Sequence, residues 1–179
     1  MRKILAFALA FVMLACGAAL AENTALNADS EFGITVDVPE GYTFTETDYG
    51  DFIGGLFKPE DETTMPYYTL LVAFSEEYAE RYGRESRLND LTQEELDDLV
   101  SELTRDFASP EITMGATGMD TIVIIVNEQG SESEYATILT VYHGYFVQVY
   151  IDQLDGRPIT DEEIQTGLEI MTSLAMVEE

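Results

Sequence analysis

One histidine, one cysteine and 35 carboxylates bound the chemistry this 179-residue chain can carry. A mechanism that needs an imidazole must use His143, and its serine nucleophile would have to sit on a tight elbow. No Gly-x-Ser-x-Gly or comparable motif occurs. His143 precedes Gly144 and lies between Tyr142 and Tyr145, a setting that favours a turn at the rim of a sheet. Zinc, which takes histidine and cysteine, is poorly served. Calcium takes clustered carboxylates, so Asp152 to Glu163 is the stretch to compare with a helix-loop-helix calcium site. Glu163 falls on its last ligand position, but Leu154 and Arg157 stand where an oxygen ligand and a glycine are needed. No catalytic, cofactor-binding or metal-ligating residue is assigned, no cofactor is expected, and the chain reads as a non-enzyme.

Two further chemistries stay open on composition. Glycoside hydrolysis needs paired carboxylates, which abound without any pair being singled out. Its clefts also want aromatic platforms; there is no tryptophan, but ten tyrosines are present, with Tyr67, Tyr68, Tyr142, Tyr145 and Tyr150 the candidates. Sheet-forming tyrosines with wet hydroxyls are the plainer reading. No glycine-rich phosphate loop is present, which argues against nucleotide use.

Charge narrows the partners. Eight basic residues against the carboxylates give a net charge of −27. Such a field repels nucleic acid and anionic lipid, and it attracts basic peptides, polyamines or loosely held divalent cations. Solubility through mutual repulsion is the plainer role of the same charge.

The opening segment carries an export signal. Arg2 and Lys3 precede an apolar run from Ile4 to Leu14, and Ala19-Leu20-Ala21 has the small-x-small form of a cleavage site. Residues 1–21 are therefore expected to be removed after Ala21, placing the domain outside the cell or in its envelope. Lipoprotein processing at Cys16, preceded by Ala15, is the alternative and would add a lipid anchor. Cleavage at Ala21 removes the sole cysteine, so no disulfide is available and the fold must rest on its apolar core. No transmembrane span is expected in the mature chain.

The elements that must position any site follow from periodicity. Residues 22–31 read as a short flexible leader and 32–179 as one domain. Phe32 to Val38 alternates apolar and polar residues, and strands at 43–47, 52–58 and 67–75 complete what reads as an antiparallel meander. Thr92 and Glu95 form a capping box with a Leu91 to Leu96 staple, opening a helix whose stripe is Leu96, Leu99, Val100, Leu103 and Phe107. Its far face carries Glu94, Asp98 and Glu102, read as a solvated acidic face. A weak strand at 112–117 precedes Thr121 to Asn127, a β-branched run expected to be a central strand covered on both faces. A long strand then ends near Tyr142, and His143-Gly144 fits a two-residue hairpin returning through Tyr145 to Asp152. That register sets Ile138 opposite Val149 and Thr140 opposite Val147, with Val141 opposite Phe146 and Thr137 opposite Tyr150 on the other side. A sheet apolar on both sides needs cover on both. The last helix repeats the capping box at Thr160 and Glu163, with a buried stripe of Ile164, Leu168, Met171 and Leu174.

Ile34-Thr35-Val36-Asp37-Val38-Pro39-Glu40-Gly41-Tyr42 is similar to the opening strand and Pro-x-Gly-aromatic turn of the PsbP/Mog1-like family. Gly144-Tyr145-Phe146-Val147-Gln148-Val149, followed by the helix through Ile170-Met171-Thr172-Ser173-Leu174, resembles its closing strand and helix. Tyr42 stands where the family usually has tryptophan. The resemblance implies an α+β fold, an α/β/α sandwich around an antiparallel sheet. It brings no shared catalytic residues and implies an accessory or binding role. The expected function is thus an exported, acidic, non-enzymatic binding domain, with an envelope-glycan hydrolase or a weak calcium-binding domain as alternatives.

Overall fold

The computed structural model describes residues 22–26, 33–48, 53–61, 66–74, 80, 88–103, 111–117, 119–127, 134–142, 145–152 and 157–176. The export segment, Cys16, Phe32, Phe107, His143 and Gly144 lie outside these residues. The strands are β1 (Glu22–Leu26), β2 (Ile34–Val38), β3 (Tyr42–Asp48), β4 (Ile53–Pro59), β5 (Tyr67–Phe74), β6 (Glu111–Thr117), β7 (Met119–Asn127), β8 (Glu134–Tyr142), β9 (Tyr145–Asp152) and β10 (Ala175–Met176). Two α-helices, α1 (Gln93–Leu103) and α2 (Asp161–Thr172), and a 3-10 turn at Leu88–Asp90 complete the described elements. Mostly antiparallel sheet with two helices, the chain is of the α+β class.

Seven strands form one antiparallel sheet in the order β3-β4-β5-β9-β8-β7-β6, and β1-β2-β10 form a second. The first strand of the expected meander, β2, belongs to that smaller sheet. A tight turn redirects it: the Tyr42 N–H donates to the Pro39 carbonyl at 3.2 Å, and Gly41 takes φ 80. A left-handed third residue is what a type II turn demands, and glycine takes it without steric cost. The flexible leader expected over 22–31 is likewise corrected at its start, because Glu22–Leu26 pairs with β2 from Glu22 opposite Val38 to Leu26 opposite Ile34. Leu26 is the cause: wholly buried, it gains roughly 2 kcal/mol from burial and draws its polar neighbours into the ladder.

Within the large sheet the β8–β9 register is the expected one, from Tyr135 opposite Asp152 to Tyr142 opposite Tyr145. Val123 and its neighbours in β7 pair on both sides, but the strand is penultimate; the centre is β9. It was the β5–β9 pairing, between segments far apart in sequence, that displaced β7 from the middle.

Alternation sends side chains to two faces. On one, Phe57, Tyr68, Leu70, Ala136, Ile138, Val147, Val149 and Ile151 join Ile170, Met171 and Leu174 of the α2 region and the apolar residues of β1 and β2. Helix α2 approaches closely at Gly167, where an added Cβ would stand 2.7 Å from Ile138 Cδ1. On the other face Leu139 and Val141 meet Leu96 and Leu99 of α1 and Leu88 of the 3-10 turn. Each helix therefore covers one face, and among the described residues the second cluster is the smaller.

Candidate functional site

The main-core face is closed by its own polar groups. Tyr42 and Tyr68 meet edge to face with ring centroids 5.4 Å apart. The Tyr42 hydroxyl donates to the Pro66 carbonyl at 3.2 Å, and the Tyr68 hydroxyl donates to the Glu163 carbonyl at 3.1 Å. Burial pushes Tyr42 up to about 12, helped by the nearby Glu163 charge and opposed by the Tyr68 hydroxyl. Burial drives Tyr68 higher still, and the neighbouring Tyr42 adds to it. Beside them Arg157 forks onto Glu163, with Nη1 3.1 Å from Oε2 and Nη2 on Oε1. Glu163 Oε2 also accepts the Thr160 N–H at 2.7 Å, so one carboxylate serves both the cap and the ion pair. These contacts hold the β2–β3 turn, the end of the β4–β5 connection and the start of α2 together.

The opposite face differs over β4, β5 and β9. There the register sets Leu56 opposite Thr69, Thr69 opposite Tyr150, and Tyr150 opposite Thr137 as one row across four strands. A second row runs from Tyr67 through Asp152 to Tyr135, and a third from Leu71 through Gln148 to Leu139. Leu56, Tyr67, Thr69, Leu71, Gln148 and Tyr150 are all half-buried, and Asp152 is exposed. Gln148 Nε2 donates to Thr137 Oγ1 at 2.9 Å and so fixes its amide along the sheet. Burial raises the Tyr150 pKa, and its hydrogen bond with the Gln148 side chain pulls the other way. Lys58, half-buried, lies on the same face. Helix α1 reaches the Leu139 and Val141 end, leaving the Tyr67–Tyr150–Asp152 end only partly covered.

These groups can stack, accept and donate. Tyrosine rings and a carboxylate receive alkylammonium or guanidinium heads, and amide and hydroxyl groups supply direction. Among the described residues no group of three His, Cys, Asp or Glu side chains could hold a metal ion. Among them, too, no helix is long and apolar enough to cross a membrane.

The tyrosines singled out from sequence do not converge. Tyr68 is in the main core, Tyr145 packs at its margin, and Tyr67 and Tyr150 share the opposite face. Glu94, Asp98 and Glu102 are exposed along α1. Of the calcium-loop candidates, Glu163 is engaged by Thr160 and Arg157, while 153–156 lie outside the described residues, as does His143. Sequence reasoning missed Leu56, Thr69, Leu71 and Gln148. Their i, i+2 spacing was visible, but the long-range pairing that puts them side by side was not. The sequence matches no known protein-family model and no curated protein.

Proposed function

We propose that this chain is an exported, acidic, non-enzymatic binding domain, and that it has the α/β/α sandwich of PsbP/Mog1-like proteins. One helix on each side of an antiparallel sheet supports that architecture. The observation that carries the binding reading is the partly covered Tyr67–Tyr150–Asp152 patch, a ring-and-carboxylate surface in a chain of net charge −27. Its partner is a cationic protein or peptide: lysine and arginine heads satisfy both the rings and the carboxylate, and the overall field draws them in.

The test uses the mature protein, residues 22–179, as bait on solubilised cell envelope. Wild-type protein is expected to recover a basic partner that salt releases, and a Tyr150→Ala, Asp152→Asn variant of unchanged melting temperature is expected to lose it. Equal recovery by the variant rejects the patch. Turnover of envelope glycans or muropeptides by the purified protein rejects the non-enzymatic reading. Intact-mass measurement of the exported protein separates cleavage after Ala21 from a lipidated Cys16.

A further inference from the structure

Strands β3 and β6 end the large sheet, and each pairs with one neighbour among the described strands. The β3–β4 ladder runs unbroken from Tyr42 opposite Pro59 to Asp48 opposite Ile53, without a bulge. β3 also contains neither proline nor lysine, two devices by which natural edge strands refuse further pairing. Which of its backbone groups face outward can be counted. The Glu60 N–H donates to the Gly41 carbonyl at 2.8 Å, just beyond the first paired residues. Hydrogen-bonded and non-hydrogen-bonded pairs alternate in an antiparallel ladder. Thr43, Thr45 and Thr47 therefore turn their backbone groups towards β4, while Phe44 and Asp48 fall on the alternate, outward-facing positions. The side chains of Thr43 and Thr45 on one face and Glu46 on the other are exposed, so the rim is open above and below.

We infer that the β3 edge takes an extended lysine- or arginine-bearing peptide segment as an added strand. Main-chain hydrogen bonds supply the contact in such sheet addition, and charge selects the occupant. A second copy of the chain brings its own charge of −27 and is repelled. Exposed Glu40, Glu60 and Asp61 flank the start of β3, so a cationic strand meets a carboxylate-rich end. The inference deepens the binding reading above and rests on it, naming an extended segment and the edge it joins.

A short synthetic strand of alternating lysine and valine, titrated against residues 22–179 at low salt, is the probe. Methylating alternate backbone nitrogens of that peptide keeps its charge and removes its donors, and is expected to weaken binding about tenfold or more. Asp48→Pro is expected to weaken it about as much, whereas Asp48→Asn, which removes only the charge, changes it by less than about threefold. Melting temperatures check that both variants fold, and slowed amide exchange at Phe44 in the complex reports the added strand. Equal binding of the methylated peptide overturns the edge and leaves the binding reading standing. Failure of the peptide to bind, with envelope capture through the Tyr150 patch intact, also overturns the edge alone. Failure of both removes both.

Discussion

Helices α1 and α2 begin with the same four-residue device and end in different surroundings. At α1 the Thr92 N–H donates to Glu95 Oε2 at 2.7 Å and the Glu95 N–H donates to Thr92 Oγ1 at 3.3 Å. At α2 the Thr160 and Glu163 pair repeats both distances. Beyond the cap the likeness stops. Glu163 also receives Arg157, its carbonyl receives the Tyr68 hydroxyl, and one turn later Gly167 brings the helix onto Ile138 and Ile151. Glu95 lies on the helix facing the smaller cluster, where Leu96 and Leu99 meet Leu139 and Val141. Local grammar starts a helix; what its first turn does afterwards depends on what the sheet presents to it.

The sharpest way to break this comparison is to truncate one buried side chain on each helix. Met171→Ala is expected to cost about 3–5 kcal/mol, because its neighbours belong to the larger core and cannot collapse into the space. Leu99→Ala, in the smaller cluster, is expected to cost about 2–3 kcal/mol. Urea denaturation with an unchanged slope measures both, and equal losses would mean that the two faces are equally consolidated.

Next in size are the two capping carboxylates. Glu95→Ala removes one cap and is expected to cost about 1 kcal/mol. Glu163→Ala also removes the ion pair with Arg157, whose side chain is only 34% exposed, and about 2 kcal/mol is expected after allowing for solvent screening of the pair. An Arg157→Ala, Glu163→Ala double variant that costs no less than the sum of the singles would show that the ion pair contributes nothing.

Tyr68→Phe tests the link between α2 and β5 and adds a pH signature. Near neutral pH the variant is expected to lose about 1 kcal/mol with its hydrogen bond to the Glu163 carbonyl. Tyrosine ordinarily ionises at 10.0, and the folded-state values of Tyr42 and Tyr68 are raised. Below the ordinary value both states hold the proton and stability is unaffected. Above it the unfolded chain ionises first, so the wild-type protein loses stability as pH climbs from 10.0 towards the folded values. Tyr68→Phe removes one such group, so its deficit should shrink in alkali. Denaturation curves on either side of that pH check this, and a deficit that stays constant would place the hydroxyl in a more solvated setting.

The smallest expected difference separates the two caps themselves. Thr92→Ala and Thr160→Ala should each cost about 1 kcal/mol and agree within about 0.5 kcal/mol, since each removes the same short-range bond. A larger gap, read from thermal melts, would mean that the caps too have been altered by the surroundings.

Some of this was legible in the residues alone. Thr-x-x-Glu before an apolar stripe marked both helices, because capping acts over three residues and needs nothing distant. The β8–β9 register followed from alternation across a two-residue connection, which leaves one pairing that keeps Ile138 and Val149 together. Leu26 was harder to read: one apolar residue in a polar segment carries no periodicity, and only β2 beside it shows why it is buried. The patch was harder again. Tyr67 and Tyr150 were each noticed, yet their register partners Asp152 and Thr69 lie 85 and 81 positions away along the chain, and no local signal reports that pairing.

What the sequence by itself determined is where helices start, that β9 returns on β8, and that the chain is acidic with little chemistry beyond carboxylates and phenols. Those are properties of neighbours, set by sterics, capping and composition. Only the tertiary structure decided that β5 lies against β9, that Tyr68 is buried while Tyr150 is half-open, and that Glu163 answers to Arg157 as well as to its cap. Such choices depend on how faces from distant segments share one core, and burial rewards the whole arrangement rather than any residue within it.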